Sequence, residues 1–283
     1  TEYKQLTACE KTLKKNEKAV QKAQTQLAKL PDAEDVMTEL SLSDKKNVAA
    51  AEKAYNALTK DQLTFLSEDE HAKMQANSER MQTLIEGETL IKAAEKAIKS
   101  LPADTKIKAT DSKKLETAQD AYDKVKNSED GLTIDPKLAE KFETSRTAYY
   151  AYQQQAEDFR SAYLDALPKD ANAVTAEYET AIPAARTAYK ALSKNVQSFI
   201  EKAEVSHLSA CEKTLKKSKP AAVKVDKLIA KLPADVNAEF TAKDEKAINA
   251  AWKAYSKLTS EQKTFLEDEQ HLLDCYNKAY PEG

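Results

Sequence analysis

Val48-Ala49-Ala50-Ala51-Glu52-Lys53-Ala54-Tyr55-Asn56-Ala57-Leu58 is the stretch on which the fold turns. Its apolar residues Val48, Ala51, Tyr55 and Leu58 step by 3, 4 and 3, which puts them on one face of an α-helix. The same face recurs as Leu115, Ala118, Tyr122 and Val125, then as Ile182, Ala185, Tyr189 and Leu192, then as Ile248, Ala251, Tyr255 and Leu258. The four tyrosines lie 67, 67 and 66 residues apart. A period that regular means one supersecondary unit copied four times.

Upstream of each copy stands a Leu-Pro pair: Leu30-Pro31, Leu101-Pro102, Leu167-Pro168 and Leu232-Pro233. Proline cannot continue a helical ladder, so each pair ends a helix A. A loop leads from it to helix B, which carries the tyrosine. Downstream, Thr59-x-x-Gln62 and Thr259-x-x-Gln262 have the form of capping boxes. Helix C is expected to start with Phe65-Leu66, Phe199-Ile200 or Phe265-Leu266. Repeat 2 differs by a longer loop holding Gly131, after which Asp135-Pro136 offers a cap and a first turn.

The junctions join these units. Leu6, Cys9, Leu13, Asn16, Val20, Ala23, Leu27 and Leu30 alternate steps of 3 and 4, and so do Leu208, Cys211, Leu215, Ser218, Ala222, Val225, Ile229 and Leu232. The apolar seam passes from helix C of one repeat into helix A of the next without losing phase. The expected architecture is all-α: four tandem three-helix bundles in series, with spectrin-like shared helices, forming an elongated or bent rod. The expected divisions are 1–15 (half a helix from a preceding repeat), 16–82, 83–152, 153–216 and 217–283. Gly87 and Pro220 are candidate hinges. Residues 8–15 return unchanged as 210–217, an offset of 202. Exposed charges match there as well as seam positions, which points to a duplicated super-repeat of three bundles. The stub 1–15 would leave Leu6, Cys9 and Leu13 bare unless something pairs with it.

Composition agrees with this reading. Only three glycines occur, Gly87, Gly131 and Gly283, too few for folds built on turns and phosphate loops. The net charge is −3, which gives no electrostatic pull toward nucleic acid or an anionic membrane. No segment approaches the roughly 20 apolar residues of a membrane span. Without an initiating Met or a signal peptide, the chain is expected to be an excised fragment or a mature product. Leu101-Pro102-Ala103-Asp104-Thr105 has the residues of a sortase signal in the wrong order with no apolar tail behind it, and reads as a helix end.

Ala54-Tyr55-Asn56-Ala57-Leu58-Thr59-Lys60-Asp61-Gln62 and Ala254-Tyr255-Ser256-Lys257-Leu258-Thr259-Ser260-Glu261-Gln262-Lys263 resemble the AYxALTxxQK helical repeats of large surface proteins of Gram-positive gut bacteria. The resemblance covers repeats 1 and 4 well and repeats 2 and 3 in outline. It implies an extracellular, cell-surface location and a stalk or spacer role. Related three-helix modules on bacterial surfaces bind host proteins, immunoglobulins among them, so the resemblance also implies a multivalent host-protein binder as the alternative.

Candidate chemistry is sparse. His207 with Cys211, and His271 with Cys275, sit one helical turn apart and could each offer a metal two ligands. Repeat 1 has His71 and Gln75 in what the spacing marks as that place, no third ligand recurs, and the cysteines fall on the apolar seam. They read as core residues, with no metal site. Equivalent positions in serial bundles lie too far apart for an intramolecular disulfide. Tyr149, Tyr150, Tyr152, Phe159 and Tyr163 form the densest aromatic run. Leu138, Phe142, Ser145, Tyr149, Tyr152, Ala156, Phe159 and Tyr163 keep the seam steps and read as core; Tyr150 lies off the seam and is a surface candidate. Trp252, the one tryptophan, takes the place of Glu52, Gln119 and Arg186 beside the seam. It is the second binding candidate. Acidic pairs have lysine neighbours at helical spacing and read as a solvated face. The expectation is therefore no enzyme, no catalytic residue, no cofactor and no small-molecule substrate.

Overall fold

The structure is a computed structural model that describes residues 2–128 and 131–281. All regular structure among the described residues is helical. Nine longer helices carry the fold: α1 Glu2–Leu27, α2 Lys45–Tyr55, α3 Glu68–Ser100, α4 Ser112–Lys126, α5 Pro136–Phe159, α6 Ala181–Ala191, α7 Lys202–Ile229, α8 Ala242–Tyr255 and α9 Glu269–Ala279. None is long and apolar enough to cross a membrane. The contacts gather into two compact units, Thr1–Leu101 with Lys114–Phe142, and Pro102–Lys113 with Glu143–Gly283.

In the first unit, Leu27 and Leu30, Val36 and Leu40 of the following loop, Val48 and Ala51 of α2, and Met74 and Met81 of α3 form one core. The 3-and-4 spacing of each helix is what brings these residues to a common side. The first half of α1 has no part in it. Tyr3 is 82% exposed, Leu6 58% and Leu13 50%, and Cys9 is exposed too. The seam reading of Cys9 as a core residue therefore fails, because no described helix packs on that half of α1. Asn16, half-buried where the core begins, accepts a hydrogen bond from Gln62 Nε2 at 2.9 Å.

Helix α3 runs unbroken past Gly87. A Cβ there would stand 3.0 Å from Leu132 Cδ2, so the glycine makes room for a leucine of the repeat 2 loop rather than marking a hinge. In that loop Gly131 takes φ +62°, and Asp135 Oδ1 accepts from the amides of Lys137 and Leu138 at 2.8 and 3.3 Å to cap α5.

In the second unit, α5 gives way to a π-helical turn, Arg160–Leu164. The extra residue of that turn shifts the seam by one. Tyr163, read as core from its spacing, is thereby 37% exposed and stacks on Phe159. Leu164 takes its place against the core.

Helix α7 joins repeats 3 and 4 without interruption, and Pro220 lies mid-helix on its exposed face. Leu208, Cys211 and Ala222 share a core with Leu167, Val174, Ile182, Ala185 and Phe265. Val225 and Ile229 share the next with Leu232, Ile248, Ala251, Tyr255, Leu272 and Cys275. Leu266 packs against both. Repeats 3 and 4 thus have one continuous apolar interior.

Helix C begins later than Phe65, Phe199 or Phe265. The boxes at Thr59–Gln62 and Thr259–Gln262, and the cap at Ser193, each open a one-turn helix: Lys60–Leu63, Ser260–Lys263 and Lys194–Gln197. The long helices then start afresh, on Ser67 with Glu70, Glu201 with Glu204, and Asp268. The residue after two of these one-turn helices ties one repeat to the one before. Ser198 Oγ accepts from the Ala109 amide at 3.0 Å, and Thr264 Oγ1 from the Ala176 amide at 2.9 Å.

Candidate functional site

Helix B and helix C face each other across one edge of repeats 1, 3 and 4, and the residues that meet there differ from copy to copy. In repeat 1, Ser78 Oγ donates to Glu52 Oε1 at 2.5 Å. In repeat 3, Arg186 grips Glu212 with two bonds of 2.9 Å, its second nitrogen also donating to Ser209 Oγ at 2.7 Å. In repeat 4 the slot holds Trp252 and Tyr276, stacked at 3.8 Å and 14°. Tyr255 lies 5.3 Å from the indole and Tyr280 5.0 Å from Tyr276. Trp252 is half-buried. Its indole covers the edge of the repeat 4 core.

The apolar surroundings reach the helix B tyrosine. Burial, then the hydrogen bond to Glu269 Oε1 at 2.6 Å, push Tyr255 up to about 12. Lys263 Nζ sits 4.0 Å over its ring. In repeat 1 the corresponding Tyr55 hydroxyl meets His71 Nδ1 instead, and His71 Nε2 faces the Leu63 carbonyl at 3.2 Å.

Tyr150 stands apart from this edge. It is 58% exposed on α5 and lies edge-on to Tyr149 at 5.6 Å. Tyr149 packs 4.9 Å from Phe199. The seam therefore holds Tyr149 and releases Tyr150, as the spacing requires.

His207 has other work. His207 Nε2 donates to the Pro168 carbonyl at 2.7 Å, with Cys211 Sγ 3.6 Å away. That carbonyl is left open where helix A stops. Other helix C side chains do the same: Asn77 Nδ2 donates to Pro31 O at 2.9 Å and Ser145 Oγ to Pro102 O at 3.1 Å. Burial matches Asn77, at 0% exposure, rather than exposed Gln75 with Cys211. His207 then corresponds to Lys73 in repeat 1. Burial pushes the Cys211 and Cys275 thiols up, which makes them poor thiolates. No group of three or more His, Cys, Asp or Glu among the described residues is placed to hold a metal ion.

No protein-family model, curated protein or solved structure matches this chain.

The remaining charge is structural or solvated. Arg160, at the start of the π turn, donates to Glu204 Oε1 at 2.7 Å, Glu157 Oε2 at 3.0 Å and the Phe199 carbonyl at 2.6 Å. Burial raises the Glu204 carboxyl, but the bonds from Arg160 and the Glu201 amide outweigh it and hold Glu204 below the usual glutamate value. Glu88 with Lys92 and Glu95 with Lys99 are ordinary i, i+4 pairs on α3. What sequence reasoning missed is the helix B–helix C slot. Its signal was the variation itself, since Glu52, Arg186 and Trp252 share a position whose partner lies on another helix.

Proposed function

We propose that the chain is a non-enzymatic helical repeat segment of a bacterial surface protein, built of four three-helix bundles in series and acting outside the cell as a stalk or spacer. The observation that supports it is the pair of unbroken helices, α3 and α7, that carry one repeat into the next. A shared helix fixes the direction in which the next repeat must follow, so repeats add length rather than enclosing a pocket. The AYxALTxxQK resemblance supplies the cell-surface setting. Small-angle scattering tests the serial arrangement. At about 1.5 Å per helical residue, four bundles in line give a particle on the order of 100 Å long, straight or bent. A compact globule would overturn the proposal.

The Trp252–Tyr276 edge and Tyr150 favour a second reading, a binder of host protein such as an immunoglobulin. Stacked, partly exposed aromatics give contact area at low entropic cost. Surface plasmon resonance against purified immunoglobulin tests it. Binding lost in Trp252→Ala or Tyr150→Ala would support the reading, and no binding by the unaltered chain would remove immunoglobulin from it.

A further inference from the structure

We infer that the first half of α1, together with Thr64 and Phe65, is the receiving half of a repeat junction, and that its occupant is the helix A, 3-10 turn and helix B of another repeat of this type. At the junction between repeats 3 and 4 the same surface is occupied. Residues 8–15 of α1 are identical to residues 210–217 of α7, and Glu2 and Leu6 match Glu204 and Leu208 at the same offset. In α7 these residues are covered. Leu208 is 1% exposed and Cys211 0%, and Leu215 packs against the same core as Leu167, Val174, Ile182 and Ala185. In α1 their counterparts Leu6, Cys9 and Leu13 are all exposed.

Two further residues match. Phe265 closes the occupied junction at 8% exposure, whereas Phe65 is 57% exposed beside a shallow groove lined by Leu13, Asn16 and Val20. Thr264 and Ser198 each donate their hydroxyl proton to a carbonyl three residues back, Glu261 O at 2.7 Å and Asn195 O at 2.6 Å. That leaves the oxygen to accept a backbone amide of the preceding repeat. Thr64 donates in the same way to Asp61 O at 2.7 Å. Its oxygen is set to accept, and it lies on the exposed surface next to Phe65.

The match defines the occupant's chemistry. It carries an apolar face like that of Leu167, Val174, Ile182 and Ala185, an open amide like that of Ala176, and a guanidinium placed like that of Arg160 to meet Glu2. A second copy of this chain does not supply these groups. Its own matching surfaces are already covered by α7 and α9, through the fully buried Leu208 and Leu272. The inference holds whether the chain serves as a spacer or as a binder, and its test does not touch that question.

The test joins a second copy of residues 136–202 ahead of Thr1, which preserves the 202-residue register, and follows Cys9 with Ellman's reagent. In the unaltered chain Cys9 reacts fast. In the extended chain its rate is expected to fall on the order of 100-fold, toward that of Cys211, since reaction then requires the junction to open. Leu6→Asp and Phe65→Asp alter residues that are exposed in the unaltered chain, so they leave its melting temperature unchanged. In the extended chain each should restore fast reaction at Cys9. Three results would overturn the inference: Cys9 staying fast in the extended chain, an added segment that stays unfolded by circular dichroism, or protection of Cys9 through self-association of the unaltered chain.

Discussion

Leu208 and Leu6 are one residue type at one position of two nearly identical helical segments, and they make a paired experiment. Leu208 is 1% exposed and packs with Ile182, Ala185 and Cys211, while Leu6 is 58% exposed. Truncating a buried leucine to alanine costs about 2–5 kcal/mol through lost transfer energy and the cavity left behind. Leu208→Ala should therefore lower the midpoint of the second unit by roughly 5–15 °C, at about 2–4 °C per kcal/mol for 150–250 residues. Leu6→Ala removes the same atoms from water rather than from a core, and should change stability by less than about 0.5 kcal/mol. Thermal unfolding followed by circular dichroism reads both. Trp252 emission adds a second probe, because its core meets that of Leu208 through Leu266. The indole signal should move with the helical signal in Leu208→Ala. An unchanged midpoint, or an equal shift in Leu6→Ala, would refute the burial argument. A Trp252 transition that stays put while helicity is lost earlier would refute the coupling of repeats 3 and 4.

Ellman titration of the native chain should show one fast thiol, Cys9, and two slow ones, Cys211 and Cys275, with all three reacting after unfolding; a missing thiol in the unfolded chain would mean a disulfide. Tyr255 has its folded pKa raised above the ordinary 10.0 to about 12, so the stability it contributes is complete below about pH 10 and is lost as the pH rises through 12. Melting curves across that window should fall less in Tyr255→Phe than in the unaltered chain. Arg160→Ala removes charge-assisted bonds to Glu204, Glu157 and the Phe199 carbonyl and should cost about 1.5–3 kcal/mol. Because Glu204 lies below the usual glutamate value in the folded chain, its share of that stability is present at neutral pH and lost as the pH falls through the lowered value, which acid titration of the two proteins would show.

Much of the fold was legible because helix periodicity is a local signal. Val48, Ala51 and Tyr55 announce helix B with no knowledge of what they touch, though the helix ends before Leu58, and the seam through Cys211 and Ser218 announces α7 across a proline. What escaped the sequence depends on single residues of backbone geometry or on distant partners. The π turn after Phe159 is one inserted residue, invisible to a pattern that tolerates steps of either 3 or 4, and it moved Tyr163 out and Leu164 in. The one-turn helix after Thr59 is another: its box was readable, but the same pattern could open a long helix or a single turn. Gly87 looked like a hinge because the reason for it, Leu132, lies 45 residues downstream.

The candidate site divides along the same line. Trp252 was singled out because its counterparts are polar, and the structure supplies the partner that makes sense of the change. Glu52 with Ser78, Arg186 with Glu212, and Trp252 with Tyr276 are three solutions to one problem, the pairing of helices B and C across a half-exposed edge. Each solution joins the two helices with side chains suited to one another, so a hydrogen bond, an ion pair or an aromatic stack can stand there without altering the core beneath. A residue whose packing is explained in this way needs no ligand to account for it. Tyr150 differs. It lies off the seam, has no slot partner across the bundle, and remains 58% exposed while the neighbouring Tyr149 packs toward Phe199. Of the two aromatics, Tyr150 is the one that packing leaves unexplained, and the binding reading rests more firmly on it than on Trp252.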